Sequence, residues 1–190
     1  MLKFILILII LLLSVSATPS VVSANANDSW ELTLYFISFS NSSGNASQSP
    51  TPVTHERIIG TNSNATDGFD WNMDKPAPTE PQGDALDVYF PCEHEVVTRL
   101  ATDIRSDVAN KWQLNIEVPS QSTTHLRWDN TSLPEDEYFT IIVDGSETDM
   151  KSKNMLELTG GIYEITVHMG DIRASSAPFN PSIKSSRGVG

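Results

Sequence analysis

The chain of 190 residues is 39% hydrophobic and 19% charged, with 12 Lys and Arg against 24 Asp and Glu. That composition supports one packed domain and excludes wholesale disorder, and the lack of a long apolar run beyond the N-terminus excludes a multi-span membrane protein. A net charge of −12 argues against a nucleic-acid partner, because phosphate binding needs clustered basic side chains and here they are scattered.

The N-terminus reads as an export signal. Lys3 precedes an apolar run from Phe4 to Leu13, followed by the small-residue pattern Val22-Ser23-Ala24. The run is too short to cross a ~30 Å hydrocarbon core as a helix, so a signal peptide over residues 1–24, cut after Ala24, is expected rather than a permanent membrane anchor. The expected destination is secretion or the cell surface. Cys92 is the only cysteine, so no intramolecular disulfide forms. A buried thiol, an intermolecular bridge and a nucleophile are the alternatives for it. Sequons stand at Asn27, Asn41, Asn45, Asn64 and Asn130, and glycosylation is expected at Asn41 and Asn45, inside the polar stretch Ser40 to Pro52.

From Trp30 onward the pattern is that of an all-β domain over residues 25–172. Short alternating or β-branched runs recur between clusters of Gly, Pro, Asn, Asp and Ser. The run Trp30 to Phe39 is apolar on both faces and reads as a central strand. Further strands are expected at Glu56–Ile59, Leu86–Phe90, Thr98–Ile104, Lys111–Val118, Thr123–Asp129, Phe139–Val143, Met155–Leu158 and Ile162–Met169. Trp112, Leu114, Ile116 and Val118 alternate with polar residues and predict one buried and one wet face. Asp144-Gly145 and Gly160-Gly161 are expected hairpin turns, since both tolerate positive φ. A helix over Glu93 to Asn110 is the weaker alternative to a strand there, given its β-branched content. About nine strands at this spacing predict a two-layer antiparallel β-sandwich. The stretches 40–52 and 75–83 and a flexible tail over 173–190 are expected to lie outside the packed sheets.

The densest polar constellation is Asn64 to Asp74. Asp67, Asp70, Asn72 and Asp74 offer hard oxygens for a calcium ion, the one cofactor the composition suggests. An EF-hand is not formed, because Lys75 occupies the position of the loop glycine and Glu80 falls one residue short of the bidentate ligand. The alternative is a turn-rich loop whose aspartates cap backbone donors. Asp103 and Arg105 share a strand face and are expected to pair or to brace this loop. Trp71, in the same loop, is the tryptophan expected to be exposed and to serve as a ligand-binding ring. Trp30, Trp112 and Trp128 belong to the core.

The Trp30 strand, Ala65-Thr66-Asp67-Gly68-Phe69-Asp70, Asp74-Lys75-Pro76-Ala77-Pro78, Val88-Tyr89-Phe90-Pro91, Asp103-Ile104-Arg105 and Lys111-Trp112 follow in that order. This series resembles an uncharacterised β-sandwich module of large secreted bacterial and archaeal surface proteins, where it often stands near the C-terminus before dockerin or sorting segments. The resemblance spans roughly Trp30 to Met169 and implies a module of the cell surface, with no catalytic residues to carry over. There is no HExxH and no G-x-S-x-G, and Cys92 with His94 supplies too few ligands for zinc. The sequence thus predicts a non-catalytic structural or interaction module, with other surface proteins or glycans as partners. The alternative is a carbohydrate-binding module that uses exposed aromatic rings.

Overall fold

The computed structural model describes residues 29–40 and 52–171. The segment expected to be a signal peptide, the sequons Asn27, Asn41 and Asn45 and the expected C-terminal tail lie outside those residues. Nine strands are present among the described residues: β1 (Trp30–Ser40), β2 (Val53–Thr61), β3 (Lys75–Pro76), β4 (Asp87–Pro91), β5 (Arg99–Arg105), β6 (Lys111–Trp128), β7 (Glu137–Val143), β8 (Ser146–Asp149) and β9 (Met155–Asp171). The all-β class agrees with the sequence. The nine strands are not the nine expected, however. Two expected pairs are fused into single long strands, and the short β3 and β8 make up the number.

The fused strand β6 decides the architecture. Its 18 residues keep one face buried from Trp112 to Trp128, apart from an irregularity between Val118 and Thr123. Along one edge its first half pairs with β4 (Val88 opposite Ile116) and its second half with β1 (Phe36 opposite Leu126). Because β1 also pairs with β2, β2 with β5 and β5 with β4, the ring β1-β2-β5-β4-β6 closes. A five-stranded barrel replaces the expected two-layer sandwich. A bulge bends the strand that carries it and raises its twist, which lets one strand serve two neighbours and complete a barrel. On its other edge β6 is flanked by β9, which is followed by β7 and β8.

Gly160-Gly161 is not the hairpin turn expected from its composition. β9 runs straight through it, and Gly160 faces the bulge of β6, where a Cβ would come within 2.6 Å of the Ser120 carbonyl oxygen. Glycine stands there because the two backbones touch. Asp144-Gly145 is a hairpin turn, with φ of 49° and 77°, the pair of positive values that a two-residue turn between twisted strands requires.

Alternate residues of β1, β6, β9 and β7 build one core. Leu34, Phe36, Trp112, Leu114, Phe139, Ile141, Ile165 and Val167 are completely buried. Each such side chain contributes about 1.5–3 kcal/mol through removal from water. Trp30 packs edge-on against Trp112 and Phe139, at centroid distances of 5.3 and 5.1 Å. The indole N–H groups of Trp112 and Trp128 donate to the carbonyls of Asp103 and Met150, so neither ring leaves a buried donor unpaired. β2 and β5 are parallel neighbours, and parallel neighbours need a long crossover. Residues 62–98 provide it, and they carry nearly everything of functional interest.

Candidate functional site

The first candidate lies where the crossover leaves β2. Asn62 donates its backbone N–H to the Arg105 carbonyl, and the loop then folds around its own aspartates. Asp70 Oδ2 accepts from the N–H and hydroxyl of Thr66, at 2.6 and 3.0 Å. Asp74 Oδ2 accepts from the N–H of Asp70 at 2.7 Å, and its Oδ1 from the N–H of Ile104 in β5 at 2.8 Å. Asp67 Oδ1 accepts from the Ser106 hydroxyl at 2.6 Å. Burial pushes the Asp74 carboxyl above its ordinary range, the charges of Asp103 and Asp70 add to that rise, and the two backbone donors pull against it.

Asp67, Asp70 and Asp74 accept from different protein donors, and Asn72 is exposed. Among the described residues, no group of three or more His, Cys, Asp or Glu is placed to hold a metal. The hydrogen bonds agree with the capping alternative: both oxygens of Asp74, Oδ2 of Asp70 and Oδ1 of Asp67 receive protein donors.

Arg105 grips Asp103 rather than the loop, with Nη2 to Oδ2 at 2.8 Å, and donates through Nη1 to the Lys111 carbonyl. The brace expected of this pair comes instead from Asp74 and Asp67. Beside it opens a cleft of about 610 Å³, whose lining includes Phe69, Glu93, Asp103, Arg105 and Gln113. At its edge Phe69 meets Trp71 at a centroid distance of 4.7 Å and His94 at 5.0 Å, both rings inclined to its own. Trp71 is 69% exposed and Val96 77% exposed. His94 Nδ1 accepts the backbone N–H groups of Val96 and Val97, so it stabilises its own loop and does not pair with Cys92. Burial, together with the charges of Asp103 and Asp74, raises the Cys92 thiol above its ordinary range.

The second candidate is at the opposite end of the β1–β2 hairpin, where a cleft of about 690 Å³ opens between the barrel mouth and the proline segment of the crossover. The inward positions of β2 near this mouth are His55 and Arg57, and Arg57 is only 6% exposed. β5 pairs with β2 only from Ile58 onward, so His55 and Arg57 lie on the part of β2 that has no β5 partner. Arg57 donates Nε to the Val88 carbonyl and Nη1 to that of Glu56, both at 2.6 Å. Asp87, also buried, is held by Arg99, which lies over the Tyr89 ring with its central carbon 3.7 Å from the centroid. Burial and the Arg57 charge lower the His55 imidazole below its usual range, with Asp87 opposing. Its Nδ1 is buried without a partner. No hydroxyl–imidazole–carboxylate chain forms among Ser38, Ser122, His55 and Asp87.

Sequence reasoning assigned no role to Arg57 or His55. The available signal was their parity: both stand on the same face of β2 as Ile59, where an apolar side chain is the norm for a barrel interior. Comparison with family models, with curated proteins and with solved structures finds no match to this chain.

Proposed function

We propose that the protein is a non-catalytic exported module of the cell surface that works by binding, as the surface-protein module it resembles implies. The observation that carries this reading is the patch formed by Trp71 and Val96 around Phe69 and His94. Large apolar side chains held open to water on a loop tied down by aspartates mark an interaction surface. The carboxylates nearby support a non-catalytic role, since Asp74 and Asp103 are already engaged by backbone donors and by Arg105.

The export half is tested by the intact mass of protein recovered from producing cells. A mature start near Asn25 is expected, and an unprocessed N-terminus overturns it. The binding half is tested by adding purified exported protein to the surface of producing cells. Retention that falls at least tenfold in Trp71→Ala is expected, and equal retention of the two proteins overturns the role of the patch.

A second reading is that the patch takes carbohydrate. It is favoured by the adjoining cleft, in which Glu93, Arg105 and Gln113 offer hydrogen bonds beside the aromatic rings. Retardation in gels containing soluble polysaccharides, lost in Trp71→Ala, is the expected result. Failure of a broad glycan panel to retard the protein removes this reading.

A further inference from the structure

The barrel-mouth cleft stands apart from the Trp71 patch, and its chemistry is different. Arg57 is deeply buried yet makes no ion pair among the described residues. Two of its nitrogens donate to backbone carbonyls, and the side chain lines the cleft. Burial works against the Arg57 charge, and Asp87, the carboxylate whose charge favours it, is shared with Arg99. Asp84 on the rim is held by Ser120, which donates its N–H and hydroxyl at 2.9 and 2.6 Å. Around Arg57 the cleft adds further polar groups, the hydroxyls of Ser38 and Ser122 and the unpartnered Nδ1 of His55, and the apolar walls of Leu86, Val53 and Pro81.

We propose that this cleft is a binding site for a monoanionic organic carboxylate, its carboxylate on Arg57 and its body against the apolar walls. The planar fork of a guanidinium matches a carboxylate, and the volume is that of a small-molecule site. A phosphate dianion is disfavoured, because it would set two charges against Asp84 and Asp87 with only one uncommitted cation to meet them. The body of the ligand is apolar or a sugar ring. The walls accept the first and the hydroxyls the second, so both are probed.

The test is a titration of the exported protein, followed by amide NMR shifts, with phenylacetate and with glucuronate, each against its uncharged counterpart, phenylacetamide and glucose. Saturable shifts at Ser38, His55, Leu86 and Ser122 with at least one carboxylate, at least tenfold weaker with its neutral partner, are expected. Arg57→Gln should abolish them. In case that variant does not fold, the exposed rim residue Val53 provides a second measure: Val53→Glu should weaken binding several-fold and Val53→Lys should strengthen it, while Trp71→Ala leaves it unchanged. Equal shifts from charged and neutral probes, no saturable shift from either carboxylate, or indifference to both Val53 substitutions overturns the proposal.

Discussion

Asp74 and Ile104 stand 30 residues apart in sequence, and the carboxylate of the first accepts the backbone N–H of the second at 2.8 Å. Together with the bonds from Asn62 to Arg105 and from Ser106 to Asp67, this bond ties the aspartate loop to β5 and the turn after it. The other oxygen of Asp74 receives the N–H of Asp70. Both oxygens of one buried side chain are therefore occupied by backbone.

Asp74→Ala should accordingly cost the fold about 2–4 kcal/mol, because a buried and a half-buried N–H lose their acceptor together. For a domain of this size that is a fall in Tm of roughly 5–15 °C. Asp74→Asn keeps one acceptor oxygen and should fall in between. Thermal unfolding of the three proteins checks the order, and an unchanged Tm in Asp74→Ala would show that the bond to Ile104 does not hold the loop.

Calcium should not stabilise the protein. Since both oxygens of Asp74, Oδ2 of Asp70 and Oδ1 of Asp67 face protein donors, addition of Ca²⁺ or of chelator should leave Tm within about 1 °C, whereas a saturating ion that bound only the folded state would raise stability by about 2.7 kcal/mol at a hundredfold excess over its Kd. A chelator-sensitive Tm that becomes insensitive in Asp70→Ala would reverse the assignment of this loop.

Two aspartates should respond to acid with opposite sign. The hydroxyl and N–H of Ser120 hold the exposed Asp84 carboxyl below its ordinary value. Its stabilising effect is present above the ordinary carboxylate range and is lost as the pH falls through the depressed value. Asp74 is raised by burial, so its charged form weakens the fold as the pH climbs through its ordinary value, and protonation relieves that. The gap in Tm between wild type and Asp84→Asn should shrink from about pH 6 to about pH 3, across the carboxylate range. A gap that is constant over this interval would refute the Asp84–Ser120 link.

Gly160 and Gly145 should tolerate alanine differently. At Gly160 a Cβ would lie 2.6–2.7 Å from the Ser120 backbone, which cannot move without disturbing the bulge that closes the barrel. Nothing lies within 4 Å at Gly145, where only the φ of 77° opposes a side chain. Gly145→Ala should cost about 1 kcal/mol, and Gly160→Ala about 2–3 kcal/mol. Denaturant melts decide the ranking, and a milder effect at Gly160 would mean that β6 and β9 do not approach there.

Trp71 should dominate the response of the protein to a collisional quencher. It is 69% exposed, whereas Trp112 is completely buried and Trp128 nearly so. Trp71→Phe should remove most of the acrylamide-quenchable emission and leave Tm within about 1 °C, as surface substitutions away from caps and cores generally do. Quenching retained in that variant would place another tryptophan at the surface.

The sequence by itself determined the class of the fold and the inside and outside of most strands. Alternation with period two, as from Trp112 to Val118, reports which side chains avoid water, and that preference is local to each strand. It also placed Trp71 apart from the other tryptophans, because its loop is rich in Asp and Asn and lacks the alternating apolar pattern of a strand. What it left open was which strand lies beside which. Pro119 to Gln121 has the composition of a turn, yet the chain keeps its direction through a bulge opposite Gly160, since the β9 backbone approaches from across the sheet. Only the tertiary structure decided that the two halves of β6 serve different partners, that the sheet closes, and that Arg57 and His55 therefore face a mouth rather than solvent. Hydrogen-bond partners and enclosed volumes depend on residues dozens of positions away, and no local pattern in the chain encodes them.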